Sequence, residues 1–110
     1  LGCRAGVSIN PATDPAGLRW AMPHLDLVLV MTVNPGYGGQ RHLAHVAEKL
    51  PLIRRMAADA GRDGEVLVSV DGGVSDANAR SLRESGADIL VAGSFLFGAE
   101  DMASAVASLR

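Results

Sequence analysis

Apolar and polar positions along this chain fall into alternating short runs and longer periodic stretches. Ala5 to Ile9 is a brief β-branched apolar run closed by Asn10-Pro11, the pattern of a strand ending in a turn. Asp14-Pro15 has the form of an N-cap with proline at the first helical position, and Leu18 and Met22 share one face of the short helix that follows. Asp26 to Val33 reads DLVLVMTV, apolar without alternation, as in a parallel strand buried on both faces. Beyond the glycine-rich stretch Asn34 to Gly39, Leu43, Val46, Leu50 and Ile53 recur at helical spacing. Pro51 inside that pattern predicts a kink or break near Leu50. After a loop at Gly61 to Gly64, Val66 to Val70 is a third strand running into Asp71-Gly72-Gly73. Ser75 can cap the next helix, which carries Leu82 and stops at Gly86. Asp88 to Ala92 is a fourth strand ended by Gly93-Ser94, Phe95 to Phe97 fits a single helical turn, and Met102, Val106 and Leu109 line one face of a last helix.

Strand followed by helix, repeated, implies an α/β fold with a parallel sheet and right-handed crossovers. The repeats fit either half of a (β/α)₈ barrel or a small open sheet, and element order alone leaves both open.

Composition narrows the partners. With 110 residues, 48% of them hydrophobic, the chain can form one cored domain, 1–110. A net charge of −2 with scattered basic residues argues against nucleic acid or an anionic membrane surface. The longest apolar run, Leu27 to Met31, is far too short to span a bilayer. Cys3 is the sole cysteine, which excludes an internal disulfide and points to a reducing, cytoplasmic setting; the residue itself reads as a small buried hydrophobe. The chain starts without Met just before a strand, so residues are expected upstream.

Ligands of parallel α/β sheets and barrels bind at the C-terminal ends of the strands. Those ends are Asn10-Pro11, the loop Asn34-Pro35-Gly36-Tyr37-Gly38-Gly39-Gln40, then Asp71-Gly72-Gly73 and Gly93-Ser94. Glycines let backbone N–H groups converge on an anion, so Gly72, Gly73, Gly93 and Ser94, helped by Gly38 and Gly39, are candidate phosphate contacts. The bland alternative is that they only form tight turns. Asp71 would project into the mouth of such a site as a general acid or base or a metal ligand, or else serve as a turn-former. Asp26 and Asp88 stand at N-terminal strand ends and read as structural. His42 and His45, three apart on one helix, read as surface residues rather than ligands, as does His24. Met22, Met56 and Met102 read as core and Met31 as lying inside the barrel. Trp20 and Tyr37 suit a lid or packing, and Arg41 a solvated charge.

The segment Asp26-Leu-Val-Leu-Val-Met-Thr-Val-Asn-Pro-Gly-Tyr-Gly-Gly-Gln40 resembles the hallmark of ribulose-phosphate 3-epimerases. Gly6-Val-Ser-Ile-Asn-Pro-Ala-Thr13, Val70-Asp-Gly-Gly-Val74 and Gly86-Ala-Asp-Ile-Leu-Val-Ala-Gly-Ser94 are similar to other strands of that family, in the same order. The resemblance implies strands five to eight of a (β/α)₈ barrel. It implies interconversion of ribulose 5-phosphate and xylulose 5-phosphate at C3 with one divalent metal ion (Zn, Fe(II), Mn or Co). Asp71 would match an aspartate that is both metal ligand and one of two acid/base groups. Gly36, Tyr37, Gly38, Gly39, Gly72, Gly73, Gly93 and Ser94 would match substrate contacts, chiefly around the phosphate, and Met31 a shield over the reacting carbons. Ser69 stands where the family commonly has an acidic or amide residue, and His42 where it has an aromatic.

The same resemblance assigns the second aspartate and the metal-ligand histidines to the first half of the barrel, absent from this chain. The expectation is therefore an isomerase as the parent protein, with the chain alone inactive. A non-catalytic phosphate-binding half-barrel or inactive remnant is the alternative, and allulose 6-phosphate the alternative substrate. The expected partner is a small sugar phosphate. Open sheet edges also suggest a homo-oligomer or pairing with the missing N-terminal half.

Overall fold

The computed structural model describes residues 1–36 and 40–110. Four strands form one parallel sheet: β1 (Gly6–Ile9), β2 (Leu27–Met31), β3 (Leu67–Asp71) and β4 (Ile89–Val91), in spatial order β1-β2-β3-β4. Register runs straight across, with Ser8 beside Leu29, Leu29 beside Ser69 and Ser69 beside Ile89. Strand order thus follows chain order without reversal, and each crossover carries helix. Two 3₁₀ helices, Pro15–Trp20 and Met22–His24, join β1 to β2. A 3₁₀ turn, Ala44–Glu48, leads directly into α1 (Lys49–Asp59) between β2 and β3. α2 (Ala79–Ser85) joins β3 to β4, and α3 (Gly93–Phe97) and α4 (Met102–Leu109) follow. Among the described residues no helix is long and apolar enough to cross a membrane.

The core lies on one side of the sheet. Val28, Val30, Val68 and Val70 point the same way and are fully buried, as are Val66 just before β3 and Met22, Val46, Leu50, Ile53 and Leu82 from the helical layer. Leu50, Ile53 and Ala57 form the buried stripe of α1, as the helical spacing requires. Near Leu50, where a kink or break was expected, the helix instead changes type, 3₁₀ up to Glu48 and α from Lys49 with helical backbone at both, and Pro51 falls in the first turn of α1. Asp14 caps its helix as expected, its Oδ1 accepting from the Ala16 N–H at 2.9 Å, but the element is 3₁₀ rather than α.

Several expectations are corrected. The strands are not buried on both faces: burial alternates along β2, and the face carrying Leu27, Leu29 and Met31 is only partly covered because every helix packs on the other side. Cys3 is exposed, since it precedes β1 and lies outside the packed layers. Met102 is 44% exposed. The five-residue α3, against which α4 packs, is too short to cover the whole apolar stripe of α4. Ser75 caps a turn rather than the helix: its Oγ accepts from Ala77 N–H at 3.2 Å and α2 starts only at Ala79.

The two aspartates read as structural hold the N-terminal ends of strands. Asp26 Oδ2 accepts from the Ala5 N–H at 2.9 Å. Asp88 Oδ2 accepts from the Val68 N–H at 2.9 Å and pairs with Arg54 at 2.8 Å. Trp20 is exposed, with the Arg19 guanidinium 4.9 Å from its ring centre.

Candidate phosphate-binding cleft

A parallel sheet brings the C-terminal ends of its strands to one edge, and here those ends surround a cleft of ≈ 630 Å³. Met31, Gly36, Asp71, Gly72, Gly73, Gly93 and Ser94, all singled out in the sequence, line it together. The expectations for Tyr37, Gly38 and Gly39 fall outside the described residues. Asn10-Pro11 does not line the cleft. That loop is instead tied down by Lys49, whose Nζ donates to the carbonyls of Asn10 (3.1 Å), Pro11 (2.6 Å) and Thr13 (2.7 Å).

Asp71 is the last residue of β3, in register with Met31 on one side and Val91 on the other, so all three side chains lie on the open face of the sheet. It is partly buried at the cleft. Among the described residues no group of three or more His, Cys, Asp and Glu converges to hold a metal ion.

The turn after Asp71 is fastened from behind through its carbonyls. Thr32, fully buried, donates its hydroxyl to the Gly72 carbonyl at 2.6 Å, and its N–H donates to the Asp71 carbonyl at 2.8 Å. His42 Nδ1 also lies 2.9 Å from the Gly72 carbonyl. A carbonyl only accepts, so this contact requires the proton on Nδ1. Asn78 Nδ2 donates to the Gly73 carbonyl at 3.0 Å. The carbonyls of the turn are thus engaged on the protein side. Gly93 begins α3, and a helix start leaves N–H groups without intrahelical acceptors.

His42 is therefore more than a plain surface residue. It precedes the helical turn Ala44–Glu48 rather than sharing a helix face with His45, and it is partly buried as a support for the turn. Sequence reading also missed Thr32 and Ser75. Ser75 lines the cleft, and its place directly after Asp71-Gly72-Gly73-Val74 was the available signal. Thr32 had none, because a threonine ending an apolar run reads as one more strand residue until the neighbouring strand is placed beside it.

The family model described as the ribulose-phosphate 3 epimerase family matches residues 1–97. A ribulose-phosphate 3-epimerase of Mycobacterium tuberculosis is 44% identical over 109 residues, covering 99% of this chain and 47% of that protein. One of Bacillus subtilis is 42% identical over 109 residues, covering 99% and 50%. A chloroplastic ribulose-5-phosphate-3-epimerase of Arabidopsis thaliana is 43% identical over 110 residues, covering 100% and 38%. The chain spans about half the length, or less, of the curated relatives it matches.

Proposed function

The chain belongs to the ribulose-phosphate 3-epimerase family, and from that premise we propose that its cleft holds the phosphate end of a ketose phosphate and presents Asp71 to the carbon being epimerised. The observation that carries this reading is the gathering of Asp71, Gly72, Gly73, Gly93 and Ser94, from two separate strand ends, into one cleft. The substrate pair is D-ribulose 5-phosphate and D-xylulose 5-phosphate, with allulose 6-phosphate the nearest alternative.

Removing the C3 proton beside the ketone leaves an enediolate, and returning a proton on the opposite face inverts the carbon. One carboxylate serves one face, so Asp71 carries one of two transfers. Backbone N–H groups of Gly72-Gly73 and Gly93-Ser94 hold the phosphate, with Gly36 and, beyond the described residues, Tyr37, Gly38 and Gly39 contributing. Met31, in register with Asp71, screens the reacting carbons from water. Family resemblance also implies a divalent metal ion. The described residues bring only the Asp71 carboxylate to the cleft and do not by themselves fit a metal centre, so the proton transfer assigned here is Asp71's own.

The fold reading that goes with this is one half of a (β/α)₈ barrel over residues 1–110. It is supported by strand order that follows chain order and by helices on one face only, where doubly wound sheets reverse order and carry helices on both. A lone cysteine is in keeping with the cytoplasm as compartment.

The test has a binding arm and a chemical arm. Titration calorimetry should detect ribulose 5-phosphate but not ribulose. Gly93→Val should weaken binding by about tenfold or more. A Cβ at Gly93 meets nothing within 4 Å, so the position has room for a side chain that narrows the cleft. Deuterium uptake at C3 should be negligible for the chain alone, appear when a relative's N-terminal half is added, and vanish in Asp71→Asn. Unaltered binding by Gly93→Val would overturn the phosphate assignment. Binding without exchange in any mixture would leave a non-catalytic phosphate-binding module.

A further inference from the structure

We propose that Thr32 and His42 together lock the Gly72–Gly73 peptide in one orientation, with the Gly73 N–H aimed into the cleft, and so act as positioning residues for the anion that binds there. That the anion is a phosphate rests on the function proposed above; the lock itself does not.

A peptide unit between two glycines is the one most free to flip. Neither neighbour has a Cβ, so turning the plane by about 180° changes ψ of the first and φ of the second at little steric cost. In a trans peptide the C=O and N–H point in opposite directions, and a flip exchanges them. The chain path barely changes, yet one orientation offers an anion a donor and the other an acceptor. A site that uses such a unit needs something to choose between the two.

Here the choice is made on the carbonyl. The Gly72 oxygen accepts from the Thr32 hydroxyl at 2.6 Å and from His42 Nδ1 at 2.9 Å, which engages both of its lone pairs. Gly72 and Gly73 line the cleft, whereas Thr32 and His42 do not, and Thr32 is fully buried. The carbonyl therefore points into the protein. No cis peptide occurs among the described residues, so planarity turns the Gly73 N–H the opposite way. A flip would leave the Thr32 hydroxyl with only its longer contact, 3.2 Å to the Asp71 carbonyl.

The units on either side are held by other groups. The Asp71 carbonyl accepts from the Thr32 backbone N–H at 2.8 Å, and the Gly73 carbonyl from Asn78 Nδ2 at 3.0 Å. Only the middle peptide depends on the Thr32 and His42 side chains. Its flanking φ values, +132° at Gly72 and +65° at Gly73, both lie where glycine alone is at ease. Backbone sterics thus do little to fix it, and the two donors do the fixing.

Two measurements on the intact protein test this. The Gly73 amide–Hα couplings and the Gly72 Hα–Gly73 amide NOE report φ of Gly73 and ψ of Gly72, and inorganic phosphate is titrated against the amide shifts. Couplings and NOE should keep their wild-type values in Thr32→Ser and His42→Asn, which retain a donor at each place. In the double variant Thr32→Val/His42→Phe they should change, while those of β2 and β3 stay as they are. Phosphate affinity of the double variant should fall by about tenfold or more, the scale of one hydrogen bond to a charged group. The Gly73 amide should lose its response to phosphate and the Gly93 and Ser94 amides should keep theirs. Unchanged Gly72–Gly73 geometry in the double variant would overturn the lock, and altered geometry with unchanged phosphate affinity would overturn the positioning role. A wild-type protein that binds no phosphate would sink the phosphate reading alone, with the geometry still deciding the lock. Should the double variant fail to fold, the His42 ring decides: proton–nitrogen correlation on the neutral imidazole should place the proton on Nδ1, and a proton on Nε2 would refute the lock.

Discussion

Replacing Gly73 by alanine probes how the turn beneath the cleft is held. Gly73 has φ +65°, a left-handed conformation that costs an L-residue about 1–2 kcal/mol. A Cβ there would also stand 2.5 Å from the backbone N of His42 and 2.8 Å from its Cα and Cβ, well inside the ~3.5–4.0 Å of comfortable contact. The obstacle is backbone, and it is anchored next door, where Leu43 N–H donates to the Thr32 carbonyl at 2.8 Å. It cannot swing aside as a side chain would, so overpacking adds about 1–3 kcal/mol. The total is about 2–5 kcal/mol. Gly64 supplies the control: its φ is +80° and an added Cβ meets nothing within 4 Å. Gly64→Ala should therefore show the conformational cost alone, about 1–2 kcal/mol. Urea unfolding at fixed chain concentration, which removes any contribution of self-association, measures both. Gly73→Ala no more destabilising than Gly64→Ala would refute the claim that the turn is packed against the His42 segment.

Thr32 and His42 share the Gly72 carbonyl, so their effects should not add. Thr32→Val or His42→Phe alone leaves one donor and should cost about 1 kcal/mol, whereas the double variant buries an unsatisfied carbonyl and should cost more than the sum; an additive double-mutant cycle would count against the shared acceptor. The Ser104 hydroxyl at 2.7 Å, with the backbone N–H groups of Ser104 and Ala103, holds the Asp101 carboxyl below its ordinary range at the start of α4. A depressed folded-state pKa means the cap contributes fully above the unfolded-state value and is lost as pH falls through the folded one. The Ala103 amide shift should follow that titration, with a midpoint below that of an unfolded aspartate, and the titration should disappear in Asp101→Asn.

Much of the fold is legible from residues next to one another in the chain. The four strands, the cap at Asp14 and the stop at Gly86 follow from local rules: β-branched runs, an aspartate before a proline, a glycine at φ +121°. Asp71 and the glycine pairs could be named because strand ends are where parallel sheets bind ligands, and the structure brings those it describes to one cleft. Long-range pairing decided the rest. The sequence determined that β2 is apolar on both sides, but only packing revealed which side the helices cover and which stays open. Thr32 and His42 became supports of the Asp71-Gly72 turn only when β2 was laid beside β3, thirty or more residues away along the chain. Hydrogen bonds and burial at that separation depend on register and on which face the crossovers take, and a one-dimensional pattern carries neither.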